Sequence, residues 1–318
     1  MKTVWVVGAG GLLGAALWHR STALGDDLFV PGERLAWAER ARLMAQLQAN
    51  AAAFAQRVAV SAARAWEVYW AAGVGTMSSP AEALVLETEA LGVLLDALAS
   101  HPALAGTQGA IGFASSAGAI YAGAPDEIIS EITPVAPTTP YARAKLQQED
   151  LVRAFAATRP DTHALLARFS TLYGAGQAVG KQQGLLTHIA RSIVRHQPIQ
   201  IFVPFDTIRD YLRVEDAAAH MICALRETGP AHQLTKIIAS EHPTTIAEIV
   251  ATFRRLARRS PRIVTSASAR AGLYGRRMQF RSTLVLHGHE DLPATNLTVG
   301  IAQLLDAERA RFTQPAAH

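Results

Sequence analysis

Tyr141 and Lys145 stand at i and i+4 in the stretch PYARAK, downstream of a pair of hydroxyls, Ser115 and Ser116, in FASSAGAIYAG. On a helix, side chains so spaced share one face, so phenol and ammonium would point the same way. A free phenol titrates at about 10 and is a poor acid or base at neutral pH, but a neighbouring ammonium stabilises the phenolate and lowers that value. Such a pair can give or take a proton at an alcohol or carbonyl oxygen while a hydride moves at the carbon. The same two residues would also suit a solvated helix face, so the spacing is informative only in company.

That company is at the N-terminus. VVGAGGLLGAAL, from Val6 to Leu17, carries Gly8, Gly10, Gly11 and Gly14. The spacing G-x-G-x-x-G fails at Leu13, whereas Gly8, Gly11 and Gly14 follow G-x-x-G-x-x-G. Between a strand and a helix, such a turn lets backbone approach a pyrophosphate, and the helix N-terminus offers free N–H groups and the positive end of its dipole. A purely structural turn is the competing reading. A signal peptide is a third, since Lys2 precedes an uncharged run from Thr3 to Trp18. Four glycines weaken any helix there, and His19 and Arg20 follow where a small-residue cleavage site would be needed. A soluble chain is expected.

The elements that must position these groups can be read from periodicity. Val4–Val7 is a β-rich apolar run and Leu12–Arg20 is helical. A second strand is expected at Leu28–Val30, a long helix over Ala38–Arg57, and a strand in WEVYWAAG. Ala81–Leu98 is an amphipathic helix, GAIGFASS a strand, Tyr141–Ala156 a helix and HALLARFS a strand. Strands alternating with helices imply βαβ units. The expected fold is α/β, a Rossmann-type doubly wound parallel sheet with a smaller C-terminal lobe. Residues 1–172 would form the nucleotide-binding domain and 173–318 mainly the substrate-binding lobe, with the stretch around 209–224 a candidate to return to the first.

Composition narrows the partners. Half of the 318 residues are apolar, 18% are charged and the net charge is +4. The basic cluster Arg254, Arg255, Arg258, Arg259 and Arg262 reads as a helix face and its end, so no nucleic-acid partner is expected. No apolar run reaches membrane-spanning length. The lone Cys223, in an apolar context, excludes an intramolecular disulfide and fits a reducing cytoplasm. It reads as a small core residue. The histidines show no metal-ligand spacing.

The glycine spacing together with YxxxK resembles the extended short-chain dehydrogenase/reductase superfamily, the NAD-dependent epimerases and dehydratases. ARFSTLYG resembles that family's L-R-x-x-N-x-Y-G, with Thr171 in the asparagine's place. RDYLRVED, from Arg209 to Asp216, resembles R-D-[FY]-[VI]-x-V-x-D, and AWEVYWAAG resembles D-x-V-x-H-L-A-A. The resemblance runs from Val4 to about Ala224. It implies an NAD(P) site at Gly8, Gly11, Leu12, Leu13, Gly14, Ala71, Ala72 and Phe169. It implies Tyr141 as acid/base, Lys145 as its tuner and ribose contact, and Ser116 as the hydroxyl orienting the reacting oxygen. Thr171 and Arg209 would hold substrate, the guanidinium gripping a nucleotide diphosphate.

Several departures matter. The family's hydroxyl falls four residues before Tyr121, where this chain has Ala117, so Ser116 would have to serve. Gly32 takes the place of the acid that grips the adenosine ribose. Glu33 follows and could replace it, while Arg34 could meet a 2′-phosphate, so NADP is favoured over NAD. The dehydratases' Asp–Glu pair is replaced by Gly118 and Ala119, which argues against 4,6-dehydration. The resemblance therefore implies an oxidoreductase or epimerase acting on a nucleotide-linked sugar and assembled as a homodimer through the helices near 81–98 and 141–156. The alternatives are an NADPH-dependent reductase of a non-sugar carbonyl compound and a silent NAD(P)-binding sensor or scaffold.

Overall fold

The run TVWVV is apolar and β-prone, and it forms β1 (Thr3–Val7), buried along its whole length. A continuous buried run is what a strand covered on both faces requires. The computed structural model describes residues 1–62, 64–177, 184–229, 233–265, 277–288 and 292–313. After β1 come α1 (Leu12–Ala23), β2 (Asp27–Leu28), α2 (Arg40–Val60), β3 (Ala65–Trp70) and α3 (Ala81–Ser100). Next are β4 (Gln108–Ser116), the single turn α4 (Ala117–Ile120), α5 (Pro140–Ala157) and β5 (Thr162–Phe169). The remainder is β6 (Thr171–Tyr173), α6 (Leu185–Arg195), β7 (Ile199–Ile201), β8 (Ile208–Arg213), α7 (Val214–Glu227), β9 (Gln233–Ile238), β10 (Pro243–Thr245), α8 (Ile246–Ala257), β11 (Ile263–Thr265) and α9 (Leu297–Thr313).

Six strands make one parallel sheet in the order β2-β1-β3-β4-β5-β9. One face is covered by α2, α3 and α5 through residues such as Leu43, Phe54, Leu94 and Val152. The other is covered by α1 and α7 through Leu17, Ala218 and Met221. This is the doubly wound α/β arrangement expected from the alternation of patterns. The chain re-enters the sheet late: α7 packs on α1, and β9 adds the sixth strand beside β5. A further core joins α6, α8 and α9 around Tyr173, Phe253 and Ile301, with a three-stranded sheet in the order β10-β8-β6 beside it.

Two boundaries differ from the periodicity. β2 ends at Leu28 rather than Val30, because Pro31 lies just beyond and has no N–H for a ladder. β3 stops at Trp70 and leaves Ala71 to Gly73 as loop; Gly73 has φ +139, which does not continue a strand. Charged groups are taken into the interior only in company. Glu67 is bound by Lys2 at 2.6 Å and by Arg226 at 2.9 Å, and Glu149 by Arg168 at 2.6 Å. No helix of the described residues is long and apolar enough to cross a membrane.

Candidate active site

The glycine turn is shaped by contacts that no side chain would allow. Gly8 has φ +93, and a Cβ there would stand 2.7 Å from the Ala71 carbonyl and the Ala72 nitrogen. A Cβ on Gly14 would lie 2.0 Å from the Gly8 carbonyl oxygen, and the Gly11 N–H donates to that oxygen at 2.8 Å. Strand end, turn and first helical turn are thus folded onto each other and onto Ala71 and Ala72. Gly11 caps α1 with no side-chain hydrogen bond, so the first N–H groups, at Leu12, Leu13 and Gly14, are left for an anion. Leu13 is buried in the core under the turn, and Phe169 is buried in the same cluster. The cradle fits a dinucleotide pyrophosphate.

Residues 32 to 34 divide their roles. The Glu33 carboxylate is engaged by Arg42 at 3.1 Å and Gln46 at 3.2 Å, on the α2 side. Gln46 also binds the Arg34 carbonyl and the Ala36 N–H, which holds this loop in shape. The Arg34 guanidinium stands over the turn, with Nη2 3.9 Å from where a Cβ on Gly10 would be. The cation, rather than the acid, faces the turn.

At the far end of β4 the two serines alternate, as strand residues must. Ser115 is buried and donates to Glu149 at 2.7 Å, whereas Ser116 is half-buried and its hydroxyl acts on the Tyr141 phenol. Ala117 is fully buried in an apolar cluster with Ile120 and Tyr121. Tyr141 is fixed by the start of α5: the Thr139 hydroxyl accepts from the Ala142 N–H at 3.2 Å, and Pro140 opens the helix. Lys145, one turn on, has Nζ 5.8 Å from the Tyr141 ring centre and 5.0 Å from that of Phe113. The ammonium donates to the Ala114 carbonyl at 3.3 Å and to Gln148 at 3.1 Å, and Gln148 donates to Thr88 on α3.

The electrostatics correct one expectation. A lowered phenol was expected from Lys145, but the Tyr141 phenol lies above its ordinary value. Burial raises it first, the Glu87 carboxylate raises it further, and the Ser116 hydroxyl only partly opposes them. Burial also lowers Lys145, with Glu87 and Glu149 acting the other way. Glu87 is the group that the sequence reading missed. Its signal was available: it falls on the apolar stripe Leu84, Leu91, Leu94 and Leu98, where a carboxylate is out of place.

Thr171 and Arg209 lie on the second sheet. β6 follows β5 after Ser170, and Ser116 of β4 is in register with Phe169 of β5, so Thr171 starts just past the strand end that carries Ser116. Thr171 is in register with Tyr211, two positions along β8 from Arg209, whose Nη1 donates to the Ile208 carbonyl. The next residue, Asp210, is buried and takes the Ser240 N–H and hydroxyl, both at 2.9 Å. Cys223 is half-buried, and burial together with Glu227 pushes its thiol up to about 12, which leaves it protonated at neutral pH.

A family model for the NAD dependent epimerase/dehydratase family matches residues 4–237. The dTDP-4-dehydro-6-deoxyglucose reductase of Escherichia coli is 29% identical over 141 residues, 44% of this chain and 43% of that protein. The UDP-glucose 4-epimerase of Azospirillum brasilense is 32% identical over 126 residues, 35% and 36% of the two chains. The matched stretch spans less than half the length of these curated relatives. Among solved structures, the UDP-glucose 4-epimerase of Thermus thermophilus in complex with NAD has a TM-score of 0.77 at 21% identity and covers 97% of this chain and 99% of that one. RMD from Pseudomonas aeruginosa, complexed with NADPH, has a TM-score of 0.75 at 21% identity and covers 98% and 100%. At such identities the likeness is one of fold.

Proposed function

The chain belongs to the NAD-dependent epimerase/dehydratase family, and from that premise we propose that it transfers hydride between a nicotinamide dinucleotide and the alcohol or keto carbon of a nucleotide-linked sugar. The observation that carries this reading is the convergence of the Tyr141 phenol, the Ser116 hydroxyl and Lys145 at the end of β4, with the Lys145 Nζ 5.8 Å from the Tyr141 ring centre. A nicotinamide, when bound, supplies or accepts the hydride. Tyr141 gives a proton to the substrate oxygen, or takes one from it. Ser116 orients that oxygen, and Lys145 supplies positive charge near the phenol and a contact for the ribose. Gly8, Gly11, Gly14, Ala71 and Ala72 hold the dinucleotide by close backbone approach. Thr171 and Arg209 serve the substrate, with the guanidinium on its diphosphate.

Arg34 beside the glycine turn and Glu33 turned toward Arg42 support NADP over NAD. The layer of α6, α8 and α9 is read as the substrate lobe, and the chain as a cytoplasmic homodimer joined through α3 and α5. Assembly of Ser116, Tyr141 and Lys145 in one place favours turnover over a silent sensor. The test is to incubate purified protein with NADPH and dTDP-4-dehydro-6-deoxyglucose, and separately with UDP-glucose and NAD⁺, following nicotinamide absorbance and sugar products. Turnover of one of them, lost in Tyr141→Phe, is expected. No turnover with either, or full turnover in Tyr141→Phe, overturns the reading.

A further inference from the structure

The inward face of α3 is apolar at Leu84, Ala90, Leu91, Leu94 and Leu98, and one carboxylate, Glu87, interrupts it at 3% exposure. A carboxylate withdrawn from water needs partners. Oxygen Oε1 of Glu87 accepts from the N–H groups of Val74 and Gly75 at 2.5 and 2.7 Å. Gly73 comes so close that a Cβ on it would lie 2.8 Å from Oε2. The point where a Cβ on Gly75 would stand is 3.3 Å from Glu87 Oε2 and 3.3 Å from Tyr141 Cδ2. The carboxylate therefore ties down the loop that leaves β3 just after Ala71 and Ala72, and the tyrosine ring leans on that same loop. Among the described residues no ion pair includes Glu87.

We propose that Glu87 is a positioning residue of the Tyr141 site, which fixes the Gly73–Gly75 loop beneath the ring and sets a negative charge close to the phenol. The inference rests on the reading of Tyr141 as the proton-transferring group, and it concerns the step in which the protonated phenol serves a keto sugar. In that step the carbonyl carbon gains a hydride from the reduced nicotinamide, and the carbonyl oxygen gains the Tyr141 proton. The C=O π pair becomes the new O–H bond, and the phenolate left behind is reprotonated by water.

The charged groups around the pair come from two helices. Glu149 on α5 acts on Lys145 but is occupied by Arg168 at 2.6 Å and Arg153 at 3.0 Å. Glu87 on α3 acts on both Lys145 and the phenol. From β4 come the Ser116 hydroxyl and the Ala114 carbonyl, which are neutral. In so dry a setting a second negative charge beside the carboxylate is opposed, and an ammonium is favoured.

Glu87→Gln keeps an oxygen that can accept from the loop N–H groups and removes the charge. The readout is near-UV phenolate absorbance against pH, with Tyr141→Phe subtracted so that only Tyr141 is seen. In Glu87→Gln the Tyr141 phenolate is expected to appear at lower pH by about one unit, and the alkaline limb of kcat/KM for keto reduction moves with it. Glu87→Asp, which restores the charge, returns the onset toward that of the natural protein. An onset unmoved in a folded Glu87→Gln overturns the proposal. Should circular dichroism show Glu87→Gln unfolded, the natural protein decides: a Tyr141 phenolate that appears only above the ordinary value of about 10 supports the proposal, and one that appears at or below it overturns it. Full turnover in Tyr141→Phe would instead strike the reading beneath it.

Discussion

The Ser116 hydroxyl lies beside the Tyr141 phenol and favours its ionised form, although one closes β4 and the other stands in the first turn of α5. The pair would bracket a substrate oxygen. Ser116→Ala is expected to lower kcat by about 10²-fold with a smaller change in KM, and Tyr141→Phe by about 10²–10⁴-fold. Steady-state kinetics on the two variants check this; equal losses in KM alone would assign the pair to binding.

Gly14 packs its α-carbon against the Gly8 carbonyl, where a Cβ would intrude to 2.0 Å of the oxygen. Gly14→Ala is expected to reduce dinucleotide affinity by at least about tenfold, since backbone must move to admit the methyl. Calorimetric titration with NADPH, beside a thermal melt of the apoprotein, separates lost binding from lost fold.

Arg34 faces the glycine turn while Glu33 is held by Arg42 and Gln46. Arg34→Ala is expected to weaken NADPH by about 1.5–3 kcal/mol, the range for a charged hydrogen bond, and to leave NADH nearly unchanged. An equal loss for both cofactors would remove the guanidinium from the 2′-phosphate.

Arg168 binds Glu149 through Nε at 2.9 Å and Nη2 at 2.6 Å, both groups being buried. Arg168→Met strips that carboxylate of its main partner, and a loss of about 3 kcal/mol is expected in urea unfolding. Burial alone would raise Glu149, but Arg168, Ser115 and Arg153 hold its carboxyl below the ordinary value. The same sign holds for Glu67, against burial, through Arg226 and Lys2, and for Glu131, against burial, through Ser282, Thr283 and Ile237. A carboxyl lower in the folded than in the unfolded chain adds stability above the unfolded value of about 4.3, and that stability is lost as pH falls through the folded value. Unfolding midpoints are therefore expected to fall below about pH 4, and to fall less steeply in Arg168→Met.

The glycine turn was legible because its cause is local: only residues without a Cβ can fold a strand end, a turn and a helix start together. Tyr141 and Lys145 were legible through helix geometry alone. Ser116 and Ala117 were harder. The family pattern points at position 117, and only the register of β4 and the burial of Ala117 show which side chain reaches Tyr141. The direction of the Lys145 ammonium could not be read either, because Gln148 and the Ala114 carbonyl compete for it.

By itself the sequence determined the doubly wound fold, the glycine turn and the tyrosine–lysine pair, since these follow from periodicities and backbone freedoms that act over a few residues. The tertiary structure alone decided that β9 completes the sheet, that Arg34 rather than Glu33 faces the turn, and that Glu87 and Tyr141 both close on the loop at Gly75. Those outcomes depend on contacts between segments far apart in the chain. Whether a charge is buried, and beside what, is defined only once the faces that cover it have docked.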